Sequence, residues 1–230
     1  IINKSNIMGF YRGPNIVTDG LVFAIDAGSG RSYPGSGTTV TDLVGTNNVT
    51  LSGVGFASNN GGVFDYDGVD DQGTAGNFFT YASFTINLWV NPGTTQNVYA
   101  DIIDNNHRGD QNWVLQQNQS TDNEYAFTVF QSNGVNSSTG NFTLTAGDWV
   151  NLTFTYDGQR VRGYNNGVLF ATGGIAGPIN YSSQSFHIGR WGSSGRYWEG
   201  EFGPLYCYNT VLTAAQVLQN YNAQKSRFGL

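Results

Sequence analysis

The sequence predicts an all-β fold: a two-sheet antiparallel sandwich with one short helix near its C-terminal end. Three observations carry this. About a dozen short segments alternate apolar and polar residues with a period of two, each bounded by Gly, Asn, Asp or Pro turn signals. Glycine numbers 32 in 230 residues, aromatics reach 14% and charged residues only 11%, a composition suited to short strands joined by many turns. Helical spacing with a proper start occurs once, from Thr213 to Lys225.

The clearest stretch runs from Asp148 to Gly173 and reads as three strands in a meander. Leu152, Phe154 and Tyr156 alternate with Asn151, Thr153 and Thr155, the pattern of a half-buried strand. Asp157-Gly158 offers a two-residue hairpin turn and starts a strand at Gln159 that ends at Tyr164. Asn165-Asn166-Gly167 has the same turn chemistry and leads into a strand over Val168 to Ala171.

In chain order, residues 1–19 are an N-terminal arm ahead of a single domain, 20–230. The arm holds Ile1, Ile2, Ile7, Met8, Phe10, Tyr11, Ile16 and Val17, too apolar for a solvated tail, yet it has no periodicity. Burial of that surface on a neighbouring subunit is expected, which implies a homo-oligomer or anchoring to another protein. Leu21 to Asp26 is a near-continuous apolar strand, as for one buried on both faces. Short strands follow at Val49 to Leu51 and Gly62 to Asp67, then a longer one from Ser83 to Asn91, closed by Pro92-Gly93. Within it Phe84, Ile86, Leu88 and Val90 point one way, and Thr85, Asn87 and Trp89 the other. Tyr99 to Ile103, Trp113 to Gln117, Tyr125 to Phe130, Ser185 to Arg190 and Trp198 to Tyr208 complete the strands. Thr213 and Gln216 stand at the spacing of a capping box, and Val217, Leu218 and Tyr221 form one apolar helix face.

The run Trp149-Val150 through Thr153-Phe154-Thr155-Tyr156-Asp157-Gly158, followed by Tyr164, Asn166, Gly167 and Val168, resembles the laminin G-like branch of the concanavalin A-like jelly rolls. Ser83 to Val90, His187 to Arg190, and Gly200-Glu201-Phe202 running into Tyr206-Cys207-Tyr208-Asn209 match the same pattern. The resemblance covers roughly residues 20–226 and implies a two-sheet jelly roll of the lectin/glucanase type. Phe10 to Val17 and Asn220 to Ala223 with Arg227 to Gly229 resemble virion proteins of tailed phages of marine bacteria. That implies a virion location after assembly in the host cytoplasm, with other virion proteins and host cell-surface polysaccharide as partners.

Several classes are excluded on composition. A net charge of −6 with only ten Lys and Arg residues offers no basic stripe for nucleic acid. The longest apolar runs are strand-sized, so no membrane insertion is expected. Cys207 is the sole cysteine, which precludes an intrachain disulfide and reads as a buried thiol. No secretory signal pattern occupies residues 1–20, and the chain begins at Ile1, so its true start is undefined.

Carbohydrate recognition needs aromatic faces for sugar rings with polar groups beside them. Two loops offer these: Asp104, Asn105, His107, Arg108, Asp110 and Trp113 in the first, Trp191, Tyr197 and Trp198 in the second. Aromatics beside glycines in loops are harder to assign to a core than aromatics in strands. Arg108-Gly109-Asp110 also spells an adhesion tripeptide, a match that three residues reach easily by chance. Asp65, Asp67, Asp70 and Asp71 crowd one turn with hard oxygen donors that suit Ca2+, although such residues also cap turn amides. No other cofactor is indicated. Retaining glycosidases need two carboxylates roughly 5 Å apart. The resemblance implies an E-x-D-x-x-E strand motif for enzymes of this fold, and the chain lacks it. Glu199-Gly200-Glu201 is the nearest approach, so no catalytic residue is assigned and a non-enzymatic protein is expected.

Overall fold

The computed structural model describes residues 14–105, 111–119, 121–174, 177–183, 185–192 and 195–230. They form two antiparallel sheets packed face to face, with one α-helix on the outside of the first. That sheet is built on β7 (Phe84–Pro92), flanked by β13 (Val150–Tyr156) and β17 (Glu199–Tyr208). Beyond β13 come β14 (Val161–Asn165) and β15 (Val168–Gly173), which forms the edge. The far side of β17 pairs with two strands in succession. Its first half meets β5 (Val63–Asp67) and its second half β1 (Leu21–Ile25), with β4 (Gly55–Ala57) beyond β5. The second sheet runs from β2 (Thr39–Val40) through β3 (Val49–Ser52), β6 (Gln72–Ala75), β16 (Phe186–Ile188), β8 (Asp101–Asp104) and β9 (Trp113–Gln117). It continues into β10 (Glu124–Phe130), which pairs with β11 (Asn136–Ser138) and β12 (Phe142–Thr143). The two-sheet sandwich with its C-terminal helix is the architecture the alternation predicts.

The alternation places the core. Leu88 lies opposite Leu152 on one neighbour and Leu205 on the other, so one apolar row crosses three strands. These side chains meet Phe127, Leu115 and Ile103 from the second sheet, with the Phe127 and Phe154 rings stacked at 4.6 Å. The Asn166-Gly167 turn has positive φ at both residues (50° and 80°), the type I′ geometry that its sequence favours.

Four local expectations differ. The Asp157-Gly158 turn spans four residues, because Asp157 accepts the amides of Gln159 and Arg160 on its own Oδ1 at 2.9 and 2.7 Å. The polar face of β7 and β13 is not solvated: Thr85, Asn87, Asn151, Thr153 and Thr155 are all fully buried. The helix α1 (Ala214–Gln224) and the C-terminal segment cover this outer face, and the amides pair with one another beneath it. Asn87 Nδ2 donates to Asn151 Oδ1 at 3.0 Å and to Thr153 Oγ1 at 2.6 Å.

The capping box forms as its spacing predicts, but the buried helix face is Val217, Asn220 and Gln224, while Leu218 is exposed. Asn220 and Gln224 are accommodated because they donate to the Tyr208 and Tyr206 hydroxyls. Finally, Ile16 and Val17, expected at a neighbouring subunit with the rest of the arm, bury against the chain's own Tyr208, Leu212 and Val217. Val17 donates its amide to Asn220 Oδ1 at 2.8 Å and accepts from the Tyr208 hydroxyl at 3.0 Å. The other apolar residues of the arm lie outside the described residues.

Candidate functional site

The structure divides the predicted sugar-contact residues into core and surface. Trp113 is fully buried, the first residue of β9, whose odd positions point between the sheets. Its ring meets Phe79, Phe84 and Phe127 at 5.8 Å and Phe186 at 5.6 Å. Trp198 is also fully buried and donates Nε1–H to the Tyr125 hydroxyl at 3.0 Å. Neither ring is available to a ligand. Asn105 is buried too, its Nδ2 donating to the Phe79 carbonyl at 3.2 Å, a loop-fastening role. Asp104 sits inside the second sheet, where its Oδ2 accepts the Gly192 amide at 2.9 Å. His107, Arg108 and Asp110, with the adhesion tripeptide, lie outside the described residues.

Trp191 and Tyr197 remain half-buried at the surface, and the fold brings them partners from far along the chain. The Arg196 guanidinium lies over the Trp191 ring, 4.3 Å from its centroid, and over the Tyr99 ring at 5.0 Å. Tyr99 and Arg196 both have left-handed backbones (φ 59° and 54°), uncommon for residues of this size. Their turns are stitched together. Asp101 donates its amide to the Arg196 carbonyl at 3.1 Å, and Asn97 Nδ2 donates to the carbonyls of Tyr197 (2.8 Å) and Gly68 (2.6 Å). The Tyr99 hydroxyl donates to Gln119 Oε1 at 2.6 Å. Asn97, Tyr99 and Gln119 were not marked by the sequence. Asn97 and Tyr99 sit in a short polar turn whose partners Tyr197 and Arg196 lie about a hundred residues away, with no periodic signal between them.

Beneath this cluster the second sheet carries buried titratable groups. Burial pushes the Asp101 carboxyl well above the usual carboxylate range, and the Asp104 charge adds to this. A 2.8 Å bond from Gln116 Nε2 and the Arg196 charge oppose it. Burial likewise lowers the His187 imidazole to about 4, with Arg190 adding to the shift and Asp104 opposing it. His187 is therefore neutral at pH 7, with Nδ1 3.3 Å from the Thr74 hydroxyl.

Residues 65–218, more than half of the chain, match the laminin G-type family model described as the concanavalin A-like lectin/glucanases superfamily. The chain belongs to that superfamily. Among curated proteins no sequence matches this laminin G-like chain. Solved structures with the same fold include the botulinum neurotoxin type G receptor-binding domain (TM-score 0.67, 19% identity, 90% of this chain and 52% of that one). The binding domain of Paraclostridial Mosquitocidal Protein 1 is similar too (TM-score 0.71, 14% identity, 89% and 52%). So is domain 4 of AbnA, a GH43 extracellular arabinanase from Geobacillus stearothermophilus, solved with arabinotriose (TM-score 0.67, 18% identity, 87% and 98%). The chain thus spans about half the length of the toxin binding domains and nearly all of the arabinanase domain.

In this laminin G-like domain the strand carboxylates serve the scaffold. Glu201 accepts from Asn59 Nδ2 at 2.8 Å and Asn91 Nδ2 at 3.0 Å, and Glu199 accepts the Thr95 amide at 3.2 Å. In register, Glu199 faces Asp67 and Glu201 faces Asp65 across the strand pair. Of the four residues expected to suit Ca2+, Asp67, Asp70 and Asp71 bring carboxylate oxygens within 4.8 Å of one another, and Asp65 stands apart from them. Asp67 Oδ1 accepts the Val69 amide at 2.8 Å and Asp71 Oδ2 the Asp67 amide at 2.9 Å, so two of the carboxylates also hold the turn. A cation there would be held by Asp67, Asp70 and Asp71 through their remaining oxygens.

Proposed function

We propose that this laminin G-like domain is a non-catalytic carbohydrate-recognition module of a phage virion protein, displayed on capsid or tail and contacting host-surface glycans. The observation that carries the recognition role is the surface cluster of Trp191, Tyr99 and Arg196, with the amide of Asn97 bonded to the Tyr197 carbonyl and that of Gln119 to the Tyr99 hydroxyl. It combines aromatic rings with directional polar groups in fixed loops, the chemistry that sugar recognition requires. Glu199 and Glu201, by contrast, are tied to Thr95, Asn59 and Asn91, which supports a role without hydrolysis. The arabinotriose in the AbnA domain and the receptor-binding role of the toxin domain give the same reading outside support. The virion setting rests on the resemblance of residues 10–17 and 220–229. A glycan array probed with the intact domain and with Trp191→Ala tests recognition. Binding that the substitution weakens is the expected result, and an array without any bound glycan would remove the proposal.

A purely structural virion role is the second reading. It is favoured by Val168, Leu169 and Phe170, which are exposed on the edge strand β15, with Leu218 exposed on the helix. Sedimentation of the purified chain as a stable oligomer, without glycan binding, would favour that role.

A further inference from the structure

Trp191 and Tyr99 each give a ring face to the Arg196 guanidinium, so those faces are not open to stack on a neutral sugar. The guanidinium is the charged group of the cluster. Its N–H groups donate no hydrogen bond among the described residues, and the side chain is only half-buried. The cation is nevertheless fixed. A ring lies on each of two contacts, Gly195 and Arg196 turn together with positive φ (70° and 54°), and the Arg196 carbonyl is bonded to the Asp101 amide. Backbone strain of this kind, at both Tyr99 and Arg196, is typical of ligand clamps. A planar fork of N–H donors held in one orientation matches a carboxylate bidentately, better than it matches a single hydroxyl.

We infer that the Trp191–Arg196–Tyr99 clamp binds the carboxylate of an acidic sugar, a uronate or a sialate. This rests on the recognition role proposed above and names its substrate class. Asp101, the carboxyl that faces Arg196, is buried, bonded to Gln116 and held toward its neutral form. The net charge of −6 opposes any anion at long range, which leaves the fixed fork as the source of affinity. Asn97 and Gln119, both exposed beside the clamp, have Asn97 Oδ1 as an acceptor and Gln119 Nε2 as a donor left for neighbouring hydroxyls.

Titration calorimetry of the intact chain with trigalacturonate and with sialyllactose, against galactotriose and lactose, tests the inference and separates the two sources of carboxylate. The expected result is tighter binding of one acidic probe than of its neutral counterpart. Arg196→Gln should then cost roughly tenfold or more in affinity for that probe, a larger loss than for its neutral counterpart. Arg196→Lys, which keeps the charge but not the fork, should recover only part of the loss. Trp191→Ala is the second variant should Arg196→Gln fail to fold, and it should lower the same preference. Equal binding of acidic and neutral probes, or a preference that survives both Arg196→Gln and Trp191→Ala, overturns this inference and leaves the recognition module standing. Absence of binding to every glycan on a broad array overturns both.

Discussion

Arg227→Met tests how the C-terminal segment is held. The Arg227 side chain is 7% exposed and its Nη1 bonds both oxygens of Asp26, at 2.9 and 2.8 Å. Nη2 donates to the Gly62 carbonyl at 2.6 Å and Nε to that of Asn60, so one side chain joins three distant segments. Methionine fills similar volume but leaves Asp26 buried without its cation, retaining only the Gly28 amide at 2.8 Å. Removing one partner of a buried ion pair costs about 3–5 kcal/mol. An unfolding entropy of about 2.1 cal/mol/K per residue gives ~0.5 kcal/mol/K for a chain of this size, hence a fall in Tm of about 6–10 °C. Scanning calorimetry measures this directly. Adding Asp26→Asn to the Met variant should restore part of the loss, because the uncompensated charge is gone. A Tm drop under about 2 °C in the single variant, or no recovery in the double, would refute the argument that the buried charge dominates.

Two further outcomes follow from the same structure. Trp198→Ala should destabilise by about 3–5 kcal/mol through the cavity and the lost Tyr125 bond, whereas Trp191→Ala should cost under about 1 kcal/mol; urea midpoints that fail to separate the two would contradict their placement. The Asp65 carboxyl is raised by burial and then by the charges of Glu201 and Asp67, so its ionised form disfavours the fold at pH values above its folded pKa and the cost vanishes as pH falls below 3.8. With most of that group in water, Asp65→Asn should raise stability at pH 7 by only ~0.2–0.5 kcal/mol and leave it unchanged near pH 3, and a lowered Tm at pH 7 would count against the reasoning.

The parts legible in the sequence were those whose causes are local. Asn166-Gly167 forms its I′ turn because both residues tolerate positive φ, whatever surrounds them. Thr213 and Gln216 close the capping box across three residues, and Trp113 to Gln117 is a strand between the expected limits. The strands not foreseen, β2, β4, β6, β11 and β12, are two to four residues long and hold few apolar side chains, so pairing rather than pattern makes them. The candidate site was half legible. Trp191, Tyr197, Trp113 and Trp198 all stood beside turn residues, but neighbours in sequence do not reveal which side of a sheet a ring enters.

The sequence by itself determined the all-β class, the meander, the helix start and the absence of a disulfide, since each depends on spacing within a few residues. Only the tertiary structure decided which faces have a second cover and which loops meet. The polar row of Asn87, Asn151 and Thr153 has the alternation of a solvated face, yet α1 and the C-terminal segment, some sixty residues or more further on, bury it. Tyr99 and Arg196 meet across about a hundred residues of chain because β8 and the loop before β17 are adjacent in space, joined by the Asp101 amide. Alternation records the direction in which a side chain leaves the backbone. What waits there is set by packing between segments that the local pattern cannot relate.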